Sequence, residues 1–343
     1  MTDKRSIWEL APEASKLRLA EPLRHSGLRV NLLALGDVGA TLLMGLKVLG
    51  GGLIDRIGIY DVNRDVMSRY EMEMNQIGWP FGEKNLPEVV CLDEEDLFDC
   101  DMFVFCASKA VPPVGASGDV RMMQLEANSK IVSYYGRMAG EKNFKGIFAV
   151  VSDPVDPLCK AALLASRAAN GARGAGAGDA GTVDISGLQL GQVRGYGLGV
   201  MNKRAEYYAR GDRRFELYLT EGRAFGPHGG DLVIANSIEN YDDEISRELT
   251  ALTVEANLKV RELGFKPYIA PALSSGAISL LLTLRGEWNY SSVYLGNGAE
   301  GAFLGIKNRI DPASGEIIIE DLPLPQKLYD RIENAYRNLC GVN

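Results

Sequence analysis

Six residues, Ala34-Leu35-Gly36-Asp37-Val38-Gly39, constrain the fold of this chain more than any other feature. They end LRVNLLAL (28–35), a nearly continuous apolar run of the kind found in a strand buried on both faces. They also open GDVGATLLMGLKVLG (36–50), where Val38, Leu42, Leu43, Leu46 and Leu49 recur at helical spacing. Glycines at a strand-to-helix junction let the backbone turn tightly and approach a pyrophosphate, which then sits on the unpaired N–H groups of the helix start. Alanine stands in the first glycine place. Asp61 closes the next expected strand, RIGIYD (56–61), 22 residues (61 − 39) after Gly39. A carboxylate there accepts hydrogen bonds from the adenosine ribose hydroxyls and repels a 2′-phosphate, which selects NAD over NADP. Gly36, Asp37, Val38, Gly39 and Asp61 are therefore candidate cofactor residues, although Asp37 faces a pyrophosphate with the wrong sign of charge. The plain alternative is that the glycines only allow tight strand–helix packing.

The same rhythm continues along the chain. NRDVMSRYEMEMNQI (63–77) reads as an amphipathic helix, and EVVCL (88–92), DMFVFCA (101–107) and GIFAVVS (146–152) as strands. Repeated βαβ units imply an α/β fold with a doubly wound parallel sheet of the Rossmann type. RAANGARGAGAGDAGTVDI (167–185) has too few large apolar residues to hold a core and reads as a flexible surface insertion. Beyond it come a helix from about Met201, a long amphipathic helix over 244–263, antiparallel strands within 291–321 and a closing helix, which together suggest a mixed α+β unit. The expected organisation is an N-terminal arm (1–27), a nucleotide-binding domain (28–167), the insertion (168–185) and a catalytic domain (186–343). Leu17, Leu19 and Leu23 give the arm apolar residues that could pack against a neighbour.

Composition excludes several classes of function. The chain has 343 residues, 46% hydrophobic, with 37 basic and 45 acidic side chains and a net charge of −8. Nucleic-acid binders show a basic face, so no nucleic-acid partner is expected. No apolar run is long enough for a membrane span, and the first residues lack a secretory h-region. Five dispersed cysteines read as reduced thiols in a cytoplasmic protein. No cluster has metal-ligand spacing, so no metal is expected. Histidine occurs only at 25 and 228, which leaves few places for proton exchange near neutral pH.

Four segments in order resemble the lactate/malate dehydrogenase family. They are the glycine turn with Asp61, Arg121–Asn128, Val151-Ser-Asp-Pro-Val-Asp-Pro157 and Gly226-Pro-His228-Gly-Gly-Asp231. The resemblance implies hydride transfer between NAD and a small 2-hydroxy acid, in a homodimer or homotetramer, with the helices at 63–77 and 244–263 as candidate interfaces. It makes His228 the group that exchanges the hydroxyl proton, a task suited to a pKa near working pH. Arg204 becomes the clamp for the substrate carboxylate through its guanidinium fork. Arg121 becomes the residue of a mobile loop that polarises the carbonyl, with VPPVGASGDV (111–120) as the lid. Ala107, Asn128 and Val151 fall at positions that touch the cofactor.

Three departures bear on chemistry. The family places an aspartate three residues before the carboxylate-binding arginine to orient the histidine; here that residue is Met201, and a thioether is a weak acceptor. The family carries asparagine where this chain has Asp153. Asp153 could replace the missing acid as the charge partner of His228, which requires the two within about 6 Å. Alternatively it faces the substrate and favours a cationic imine or amine, or it merely bonds a loop backbone. Where malate enzymes carry a second arginine, this chain has Gly115 or Ala116, with Lys109 farther upstream, which disfavours a dicarboxylic substrate. The reading is thus an NAD-dependent oxidoreductase of a 2-hydroxy/2-oxo acid other than malate. The alternatives are reduction of another carbonyl or an imine, and a catalytically decayed NAD-binding sensor or assembly protein.

Overall fold

A computed structural model describes residues 4–82, 85–109, 120–171, 187–297 and 300–342, with backbone alone for 120–123 and 169–171. In chain order the first elements are β1 (Lys4–Arg5), β2 (Leu28–Leu33), α1 (Asp37–Leu49), β3 (Ile54–Tyr60), α2 (Arg64–Asn75), β4 (Glu88–Cys91), β5 (Met102–Phe105), α3 (Val120–Glu141), β6 (Ile147–Val150) and α4 (Val155–Gly171). Then follow β7 (Val193–Gly195), α5 (Leu198–Gly211), α6 (Tyr218–Glu221), β8 (Arg223–Phe225), β9 (Val233–Ala235) and α7 (Asp243–Glu262). A π-helical stretch (Pro271–Ile278) runs into α8 (Ser279–Leu284). The chain closes with β10 (Asn289–Gly296), β11 (Gly301–Ile310), β12 (Ile317–Ile319), β13 (Leu324–Pro325) and α9 (Gln326–Cys340).

Nine strands form one sheet in the order β12-β11-β10-β7-β6-β5-β2-β3-β4. From β4 to β7 every neighbour is parallel. The α/β, doubly wound expectation therefore holds. β5 and β6 are buried at every position, as strands covered by helices on both faces must be. Chain order reverses between β2 and β5, and the crevice at the carboxyl ends of strands on either side of such a reversal is where ligands bind in open α/β sheets. Antiparallel β10, β11 and β12 extend the same sheet, joined through Ser292 opposite Gly195. α5 begins at Leu198, three residues before the position its sequence suggested.

The N-terminal segment packs on its own chain. β1 pairs with β13, Ser15 N donates to Gly296 O (3.0 Å), and Ile7, Leu17 and Leu19 are buried in the core. Burial of these apolar side chains stabilises the docked segment at about 25 cal/mol per Å2.

Candidate active site

At the nucleotide end, β2 runs into Ala34, whose φ of +74° lies in the left-handed region. Glycine adopts that conformation freely, and for alanine it costs about 1–2 kcal/mol. α1 starts at Asp37 with Gly36 as its N-cap and no side chain capping it, so its first N–H groups remain available. A Cβ on Gly39 would fall 1.9 Å from the Ala34 carbonyl oxygen, so only glycine fits there. A Cβ on Gly36 would meet nothing within 4 Å, which leaves open space beside an uncapped helix start. Asp61 Oδ2 accepts from Leu35 N (2.8 Å) and Oδ1 from Asn63 N (3.0 Å). Each oxygen keeps further lone pairs for a ribose hydroxyl. Asp37 is paired with Lys266 Nζ at 2.8 Å, which offsets the charge that opposed a pyrophosphate. Val38 is partly buried against the core. Ala107 and Val151 follow β5 and β6 at the crevice: Ala107 O accepts from Ser152 Oγ (2.8 Å), and Val151 N donates to Phe105 O (3.0 Å). These residues fit NAD.

His228 lies in the loop between β8 and β9, held by Gly226 N donating to Gly305 O (2.9 Å), with Gly226 at φ +89°. Its side chain is 18% exposed, and Nδ1 lies 2.9 Å from Asp153 Oδ1. A carboxylate can only accept, so Nδ1–H donates and Nε2 is the nitrogen left for a reacting group. Nε2 is shielded from solvent and has no partner. Burial, the largest influence on the ring, pulls its pKa down. The charge and hydrogen bond of Asp153, helped by Asp156, outweigh burial and the opposing charge of Arg204, so the net direction is upward from 6.5. Room for the ring comes from Gly197, where a Cβ would stand 2.8 Å from His228 Cβ.

Arg204, on α5, is partly buried, and its Nη1 donates to Met201 Sδ at 3.5 Å. Burial lowers its pKa while the negative charge of Asp153 raises it, so Arg204, Asp153 and His228 share one electrostatic cluster. Among the described residues no ion pair ties Arg204 to a carboxylate. Its guanidinium thus keeps donors for a substrate carboxylate.

Asn128, expected at a position that touches the cofactor, is held by its own chain. Its side chain is fully buried, Nδ2 donates to Asp153 O (2.8 Å) and Ser108 Oγ (3.3 Å), and Oδ1 accepts from Lys109 N (2.9 Å). With both amide hydrogens used, it fixes the backbone of Asp153. The Arg121 side chain, the 111–119 part of the loop with Gly115 and Ala116, and 172–185 of the insertion lie outside the described residues. Asp156 and Gly197 join the site although residue type alone did not mark them. Asp156 is 3% exposed, and burial, partly offset by a Ser292 hydroxyl and the His228 charge, pushes its carboxyl up to about 7. The available signal was a second acid in the first turn of α4, three residues after Asp153.

Fold and site together define a dinucleotide-type α/β protein with a histidine–carboxylate pair whose acid follows the carboxyl end of β6. Residues 28–172 match the lactate/malate dehydrogenase NAD-binding domain, and this match supports the lactate/malate dehydrogenase family, dehydrogenases of CH–OH groups that use NAD. It is 31% identical to an L-lactate dehydrogenase of Treponema denticola over 140 residues, 40% of this chain and 41% of that enzyme. Against an L-lactate dehydrogenase of Staphylococcus haemolyticus it is 23% identical over 296 residues, covering 78% of this chain and 84% of that enzyme. The minor L-lactate dehydrogenase of Enterococcus mundtii superposes with a TM-score of 0.71 at 19% identity, over 93% of this chain and 98% of the other. A malate dehydrogenase from Picrophilus torridus superposes with a TM-score of 0.68 at 18% identity, over 91% and 95%. Among the described residues no helix is long and apolar enough to cross a membrane.

Proposed function

We propose that this chain is an NAD-dependent dehydrogenase that interconverts a small 2-hydroxy acid other than malate with its 2-oxo acid. The observation that supports it most is His228, bonded through Nδ1 to Asp153 at 2.9 Å with Nε2 unpartnered. Gly36, Gly39 and the N-terminal N–H groups of α1 would hold the pyrophosphate of NAD, and Asp61 the adenosine ribose. Bound NAD supplies or accepts the hydride. His228 Nε2 carries the proton given to the carbonyl oxygen in reduction and takes it back in oxidation. Asp153 fixes the ring tautomer and favours its charged form. Arg204 holds the substrate carboxylate through parallel N–H···O bonds and so orients the carbonyl.

An NADH-oxidation assay with 2-oxo monocarboxylates, oxaloacetate and, separately, 2-oxo acids with ammonium tests this. The expected result is turnover of a monocarboxylate, little of oxaloacetate and no requirement for ammonium. NADH binding without turnover of any 2-oxo acid would refute the dehydrogenase and favour a nucleotide-binding sensor. A second reading, imine reduction, draws on Asp153, whose side chain is 51% exposed and would favour a cationic substrate. An ammonium requirement would establish it.

A further inference from the structure

We infer that Asp156 is a positioning residue of this site, a buried second carboxylate that acts with Asp153 to set how tightly His228 holds its proton. The carboxyl stands in the first turn of α4, three residues after Asp153, and is almost wholly removed from solvent. Its Oδ1 is buried with no hydrogen-bond partner. The neighbouring Val155 and the His228 ring flank the same glycine: a Cβ on Gly197 would lie 3.1 Å from Val155 Cγ2 and 2.8 Å from His228 Cβ. The helix start and the histidine loop therefore meet there. Ser292 faces Gly195 across β7 and β10, and its hydroxyl favours the ionised form of Asp156.

A half-satisfied buried carboxylate persists in its charged form only where a cation compensates it. His228, once protonated, is that cation, and each group favours the charged form of the other. Among the described residues, the other charged and titratable groups around them include Asp153 after β6, Arg204 on α5, Arg194 on β7 and Cys159 on α4. Arg194 is fully buried and donates to the neutral Ser291 and Asn308. Cys159 senses both Asp156 and Arg194, and burial keeps its thiol neutral. When His228 delivers its proton, Asp156 loses its compensating charge and gains proton affinity, so the two ionise as a coupled pair. The catalytic meaning of this coupling rests on the function proposed above; the coupling itself does not.

The chain has two histidines, of which His25 is exposed, so proton NMR resolves the titration of His228 after assignment with His25→Asn. In full-length Asp156→Asn the pKa of His228 is expected to fall by about half a unit to one unit, and its curve to simplify to a single ionisation. If that variant does not fold, Ser292→Ala, which removes the hydroxyl that favours ionised Asp156, is expected to move His228 in the same direction. An unchanged His228 titration in whichever of these variants folds would overturn the inference. Lack of turnover by the wild-type chain would overturn the proposed function and leave this shift standing.

Discussion

His228 is shielded enough that burial alone would lower its proton affinity, and Arg204 pushes the same way. Asp153 reverses the balance, so its neutral isostere is the informative change. In Asp153→Asn the pKa of His228 falls, and since reduction needs the protonated ring, the pH above which kcat/KM for the 2-oxo acid declines moves lower. At neutral pH the reduction rate is expected to drop by about 10²–10⁴-fold, measured as steady-state pH profiles. Stability carries the same sign. The folded pKa of His228 is raised, so its contribution is fully present below about 6.5 and is lost as pH rises through the folded value. Asp156 is also raised, from 3.8 to about 7, so the native state is favoured at low pH and loses that advantage between those values. Urea unfolding should therefore show Asp156→Asn gaining on wild type by on the order of a few kcal/mol from pH about 4 to about 7. Arg204→Lys keeps the charge and loses the fork. Its expected effect is a rise in KM for the 2-oxo acid and a fall in kcat/KM of about 10–100-fold.

Among the elements, the β2–α1 turn separates structure from binding within four residues. Gly39→Ala puts a methyl into the Ala34 carbonyl, so calorimetry should show a loss of at least about 1–3 kcal/mol. Gly36→Ala meets open space, so it should leave Tm unchanged and weaken NADH affinity, read by fluorescence titration. Ala34→Gly relieves the positive φ and should stabilise by about 1 kcal/mol. This turn was legible in sequence because strand periodicity, glycine spacing and a following acid are all local signals. Asp153 was legible through chemistry, one acid lost at 201 and one gained at 153. Asp156 and Gly197 were not, since the role of each depends on what packs against it. The bonds of Asn128 were hidden for the same reason: its amide reaches Ser108 and Asp153, segments distant in sequence.

For the whole molecule, the parallel strands join the antiparallel extension through one residue pair, Ser292 with Gly195, which no local pattern announces. The docking of the N-terminal segment depends likewise on Lys4 facing Pro325. One outer surface stays apolar. Met44 and Val48 on α1 and Phe265, Ile269 and Ile278 are exposed, and Gly45 brings α1 against Ala277 of the π-helical stretch. Exposed large apolar side chains on elements that pack together are a feature of interfaces between protein molecules. We propose that a second copy covers it, and sedimentation is expected to give about twice the 37.3 kDa chain mass; a monomer at micromolar concentration would contradict this. The most direct test of the central claim, that His228 exchanges the substrate proton under the control of Asp153, is the pH dependence of NADH-driven 2-oxo acid reduction in wild type and Asp153→Asn. The declining limb is expected to shift to lower pH in the variant. Superimposable limbs would contradict it.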